Sequence, residues 1–112
     1  MLKPKDPREL AIKLLKRSSC KVQVAAVLSD KHGIFAWGVN HMGDGYGCHA
    51  EISCLQRANH KRVSGSVMWI AARRAKSKNP VLARPCAACF PIVLQCCYVM
   101  FRNKEGNWEE MR

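Results

Sequence analysis

The chain has 112 residues, 48% of them hydrophobic and 24% charged, which fits one folded domain spanning 1–112 and excludes a disordered or collagen-like polymer. Nineteen Lys and Arg against eight Asp and Glu leave a net charge of +11, which implies an anionic partner such as nucleic acid, a nucleotide phosphate or an acidic surface; solubility alone is the plainer alternative. No apolar run reaches the roughly eighteen residues that span a bilayer, and the Lys-rich start lacks the apolar stretch of a secretory signal, so the expectation is an intracellular, cytoplasmic protein with no membrane partner.

Asp6, Pro7 and Glu9 form the cap, first position and third position of a capping box, and residues 7–18 read as a helix. Leu10, Ala11, Leu14, Leu15 and Ser18 fall on one stripe, with Lys13, Lys16 and Arg17 elsewhere. Residues 21–29 and 34–39 read as two strands joined by the turn Asp30-Lys31-His32-Gly33. Residues 40–48 read as a loop walling a pocket; its Gly43, Gly45 and Gly47 lack the Lys of a phosphate-binding loop. A helix is expected over residues 49–60 and a strand covered on both faces over 67–72. Residues 73–84 read as a polar, basic surface loop. A second helix is expected over residues 86–95 behind Pro85, its early turns distorted by Pro91. Strands over 98–102 and 108–111 close a hairpin whose turn, 103–107, is too short for a crossover, so the last two strands should be antiparallel.

Two motifs carry the chemistry: His49-Ala50-Glu51 and Pro85-Cys86-Ala87-Ala88-Cys89. Seven cysteines without a secretory signal, and an odd count, favour metal over a disulfide framework. One His and two Cys make three zinc ligands, His49, Cys86 and Cys89, leaving the fourth tetrahedral position open, as catalytic rather than structural zinc (Zn2+) requires. A three-residue spacing on a first helical turn points both sulfurs the same way, and the helix N-terminus and the metal favour their thiolates. Glu51, beside such a centre, is a general acid/base rather than a ligand. Cys48 as a fourth ligand is disfavoured by the need for an open position, and Cys20, Cys54, Cys96 and Cys97 read as small core residues.

The paired motifs, H-x-E followed by P-C-x-x-C, resemble those of the zinc-dependent cytidine deaminase superfamily, and the element order is similar over most of the chain. The resemblance implies a three-layer α/β/α domain with a five-stranded mixed sheet, hydrolysis of cytosine to uracil, Asn40 against a substrate sugar, and the backbone at Ala50 and Pro85 reading the pyrimidine ring and its amine. The Cys96-Cys97 pair, where the family often has a Gly, and Pro91 depart from its pattern.

Tyr46 and Phe90 are candidates to stack on a base, with rim or core packing as the alternative; Trp37 and Trp69 read as core. His41 is a candidate contact for a base or phosphate, against simple exposure, and His32 and His60 read as turn and helix-end residues. Arg73, Arg74, Lys76, Lys78 and Arg84 lead straight into the second motif and are candidates to guide a phosphate backbone, against a solvated loop. The leading expectation is therefore deamination of cytosine in single-stranded nucleic acid. The rivals are a deaminase of free cytidine, deoxycytidine or their monophosphates, and an idle zinc module that binds nucleic acid by charge. Adenine as the target base stays open, and an exposed sheet edge suits a homo-oligomer.

Overall fold

The computed structural model describes residues 6–42, 47–85, 90–96 and 98–111. Helix α1 (Pro7–Leu14) starts where expected, with the Asp6 carboxylate accepting from the Arg8 N–H at 2.9 Å and Pro7 in the first turn. It stops short of Ser18, tightening into a 3₁₀ turn at Leu15–Arg17. Strands β1 (Val22–Asp30) and β2 (Gly33–Val39) pair antiparallel through the expected turn, in which Gly33 takes φ +111° and Asp30 accepts from the His32 N–H.

Residues 41–48 are not all loop. A two-residue ribbon, β3 (His41–Met42) against β4 (Gly47–Cys48), pins the ends of the segment together. The expected helix over 49–60 is two helices, α2 (Ala50–Arg57) and α3 (His60–Val63). Ala58 is extended between them and Asn59 caps the second, which places His60 at a helix start rather than an end. β5 (Val67–Arg74) runs two residues further than expected because Val22 and Gln23 supply partners for Arg74 and Arg73. α4 (Phe90–Val93), β6 (Tyr98–Arg102) and β7 (Trp108–Glu110) follow.

The main sheet has the order β2-β1-β5-β6-β7, with β5 and β6 parallel and its other pairs antiparallel. This is the five-stranded mixed sheet expected, with the terminal hairpin antiparallel. Alternation splits its residues between two cores. Ala25, Val27 and Ala71 meet Ala11, Leu14 and Leu15 of the first helical segment. Ala26, Leu28, Ala36, Met68, Ile70, Val99 and Phe101 meet Ala50, Cys54, Leu55 and Val93 on the other side. Helices therefore flank the sheet in three layers, and Cys54 and Cys96 are core residues as expected. Trp37 and Trp69 are half-buried on the α1 side; the Trp37 ring lies between the guanidinium groups of Arg17 (5.3 Å) and Arg57 (4.8 Å).

Two details fix where the motifs sit. A Cβ on Gly38 would lie 2.5 Å from the Cys54 backbone N and 2.9 Å from the Ala50 carbonyl, so the absence of a side chain lets α2 lie directly on β2. The pairing of β5 with β6 runs only to Ile70 and Phe101. Beyond it the returning chain fills the gap: Val81 donates to the Ala72 carbonyl and Ala83 to the Arg102 carbonyl, both at 3.0 Å. Among the described residues, no helix is long and apolar enough to cross a membrane.

Candidate functional site

One edge of the sheet collects the start of β1 and the ends of β2, β5 and β6. Gly38, one residue from the end of β2, touches the first turn of α2, which places that turn at the same edge. Ala83, held by the end of β6, delivers Pro85 there as well. The start of α2 and Pro85 are thus brought to one edge by backbone hydrogen bonds and one glycine contact.

His49 is the N-cap of α2, with extended backbone (φ −75°, ψ 140°), and its carbonyl accepts from the Ser53 N–H at 3.0 Å. His49 is exposed and its imidazole does not cap the helix. Ala50 is fully buried and Glu51, in the first turn, is only 5% exposed. A carboxylate that deep is costly unless it is paired or hydrogen-bonded. Pro85 is buried. Cys86, Cys89 and Tyr46 lie outside the described residues, as does Cys97. An exposed imidazole together with two cysteine sulfurs is a borderline-soft donor set of the kind zinc takes, so the residues fit that metal. Cys54 and Cys96 do not belong to it. Both are packed in the core on the α2 side, where burial, with Cys96 nearby, pushes the Cys54 thiol up to about 12 and burial also raises Cys96.

Asn40 ties the edge together. Its Oδ1 accepts from the Ser18 hydroxyl at 2.6 Å and the Val24 N–H at 2.8 Å, and its Nδ2 donates to the Val22 carbonyl at 2.9 Å. Its amide therefore has a structural task, holding the start of β1 to the end of β2; a sugar contact could draw only on the second Nδ2 hydrogen. His41 is exposed and pairs in β3 with Cys48, next to His49.

The basic candidates separate. Arg73 is directed to the α1 side, where its Nε donates to Gln23 Oε1 at 2.8 Å. Alternation sends Arg74 to the α2 side. Lys76 and Lys78 occupy the turn beyond β5, with Lys78 at φ +63°, and Arg84 is exposed just before Pro85. Lys21 escaped the sequence reading because it is far along the chain from residues 73–84; strand pairing brings it beside Arg74, and its carbonyl accepts from the Ala75 N–H at 2.8 Å.

The sequence matches the family model of the cytidine and deoxycytidylate deaminase zinc-binding region over residues 4–101. No curated protein sequence matches significantly. Among solved structures, the fold is similar to a cytidine deaminase from Burkholderia pseudomallei, with TM-score 0.72 and 19% identity, over 98% of this chain and 92% of that one. It is also similar to a cytidine deaminase from Mycobacterium leprae, with TM-score 0.60 and 14% identity, over 92% and 88%. A variant of the Mycobacterium tuberculosis enzyme gives 0.57 and 17%, over 84% and 80%. At these identities the likeness to solved structures is one of fold.

Proposed function

Because the chain belongs to the cytidine and deoxycytidylate deaminase zinc-binding family, we propose that it hydrolyses the exocyclic amine of cytosine in a free nucleoside or nucleotide, with Glu51 as proton carrier and His49, Cys86 and Cys89 as zinc ligands. The observation that carries this reading is Glu51: a carboxylate only 5% exposed in the first turn of α2, two residues after the exposed N-cap His49.

When bound, zinc supplies the positive charge that lowers the pKa of a neighbouring water toward about 7. The chain's own residues do the remaining work. Glu51 takes the proton of the attacking water on a carboxylate oxygen and delivers it to the ring nitrogen next to C4, so that the C4–N double bond accepts the oxygen without building charge on the ring. A second transfer through the same carboxylate protonates the amine, which leaves as ammonia, and uracil remains. Buried Ala50 and Pro85 offer backbone groups to the base edge in a place where bulk water competes poorly.

A free substrate is favoured over a polymer by where the positive charge is spent. Arg73 is bound to Gln23, Arg62 to Asp30, and Arg17 and Arg57 lie against Trp37, so several arginines behind the +11 total serve the fold. The test is product analysis by mass spectrometry, with Glu51→Gln beside the native chain, on cytidine, deoxycytidine, their monophosphates and single-stranded DNA and RNA at low and high salt. Glu51→Gln should keep about one zinc per chain and lose turnover, whereas Cys86→Ala loses the metal. Normal turnover in Glu51→Gln refutes the mechanism. Uracil formed in a polymer and suppressed by salt would instead establish the nucleic-acid reading that the net charge first favoured.

A further inference from the structure

The chain leaves β2 at Asn40, and the side chain of that residue takes over the pairing that the strand gives up. The last register pair between β1 and β2 is Ala25 with Val39, and beyond it the Val24 N–H and the Val22 carbonyl point to where β2 would continue. The Asn40 amide answers both, Oδ1 accepting from the Val24 N–H and Nδ2 donating to the Val22 carbonyl, while the Asn40 N–H donates to the Val24 carbonyl at 3.0 Å. A side-chain amide thus stands in for backbone groups that have turned away. The chain can then enter the β3/β4 ribbon, which pairs His41 with Cys48 and Met42 with Gly47. The next step of the same register sets Asn40 opposite His49.

A buried polar chain holds that amide. Ser18, 5% exposed, donates its hydroxyl to Asn40 Oδ1 at 2.6 Å and accepts from the Cys20 N–H at 3.2 Å. Its carbonyl accepts from Nε2 of Gln23, itself 6% exposed, at 3.0 Å, and Gln23 Oε1 accepts from Arg73 Nε at 2.8 Å. Arg73 pairs through its backbone with Pro80, on the segment that runs by way of Ala83 to Pro85. The chain of bonds therefore leads from the residue opposite His49 to the strand end on which the approach to the second motif is built. Burying a serine hydroxyl and a glutamine amide is costly unless their bonds are made, and among the described residues no buried side-chain polar atom lacks a partner.

We propose that Ser18 and Gln23 are positioning residues for His49: by locking the Asn40 amide where the chain leaves the sheet, they set the place at which the ribbon delivers this ligand against the segment entering the second motif. The proposal rests on the deaminase reading for the identity of the zinc ligands, and on the polar chain alone for the placement of His49. Both residues act through Asn40. Outer partners that orient metal ligands change metal affinity by about ten- to a hundredfold when removed, and Ser18→Ala takes one bond from an amide that keeps its bonds to Val22 and Val24, so the effect belongs at the lower end.

The experiment uses the full chain and reads the zinc dissociation constant by competition with a chelator, with the urea midpoint and deamination of cytidine and its monophosphate measured alongside. Ser18→Ala, Ser18→Thr and Gln23→Met are compared with Asp30→Asn, which breaks the ion pair to Arg62 at the opposite end of β1. Ser18→Ala should weaken zinc binding about tenfold, and Gln23→Met should weaken it in the same direction. Ser18→Thr, which keeps the hydroxyl, should recover most of the native affinity. Asp30→Asn should lower the urea midpoint and leave zinc affinity unchanged, which separates placement of a ligand from loss of global stability. Native zinc affinity in both Ser18→Ala and Gln23→Met overturns the proposal, as does a loss in Asp30→Asn equal to theirs. Zinc affinity that follows the Ser18 and Gln23 substitutions in a chain that deaminates nothing supports the positioning role and removes the deaminase reading. Deamination by a chain whose zinc affinity ignores both substitutions does the reverse, and a native chain that takes up no zinc overturns both.

Discussion

Gly38→Ala tests whether the contact between β2 and α2 positions the chemistry. The added methyl would sit 2.5 Å from the Cys54 N, 2.9 Å from the Ala50 carbonyl oxygen and 2.9 Å from the Ser53 Cβ. Two of these neighbours are backbone atoms of α2, so no rotamer change relieves them. Restoring an ordinary 3.4 Å contact requires the helix and strand to separate by about 0.9 Å, and Ala50 is the residue immediately before Glu51. Overpacking of this kind costs about 1–3 kcal/mol. A displacement near 1 Å at a catalytic group costs about a hundredfold in rate. The assay pairs kcat for deamination with the urea midpoint and zinc content, and Gly65→Ala, where nothing lies within 4 Å of the added methyl, is the control. Gly38→Ala should lose both rate and stability while Gly65→Ala changes neither appreciably. Native kcat in Gly38→Ala, with its midpoint also unchanged, would refute the argument that this glycine sets the position of the first turn of α2.

Asn40→Ala removes the acceptor of the Ser18 hydroxyl and Val24 N–H and the donor to the Val22 carbonyl, so urea unfolding should show a loss of about 2 kcal/mol. Asn40→Asp, which retains the acceptor, should fall between it and the native chain; an alanine variant as stable as the native one would exclude the clamp. The Arg62 guanidinium, bonded to both Asp30 carboxylate oxygens at 2.7 Å, holds that carboxyl far below the usual carboxylate range. Its folded value being depressed, the contribution of the pair is fully present above the unfolded value near 4 and is lost progressively as pH falls from there through the folded value. The midpoint difference between the native chain and Asp30→Asn should therefore be constant from neutral pH down to about 4 and shrink below it, and a difference independent of pH across that range would contradict the ion pair.

Local signals announced much of this architecture. Asp6 and Pro7 mark the start of α1, Gly33 and Asn103 mark turns, and a nearly continuous apolar stretch marks the strand that buries Val27 and Leu28. Asn59 is a sound helix cap in the sequence, yet the apolar and polar periodicity runs through it, and the break at Ala58 is clear only from its extended backbone. The β3/β4 ribbon is two residues long, too short for a period to register. Around the site, His49 and Glu51 stand out in the sequence because they form the H-x-E motif that the resemblance rests on. The partition of the arginines is not. Arg73 and Arg74 are adjacent and chemically identical, and only strand register turns one toward Gln23 and sets the other opposite Val22. Asn40 likewise has the composition of a turn residue or a ligand contact, and its tie to Ser18 spans twenty-two residues.

The gap between the upper ends of β5 and β6 separates two kinds of change. Val81 and Ala83 fasten the returning chain to Ala72 and Arg102, so Pro85 inherits its place from strands that are themselves core elements. The apex at residues 75–78 lies upstream of those fastenings. Residues inserted or exchanged in it leave the anchor points downstream in place. The apex is thereby free to diversify without shifting Pro85.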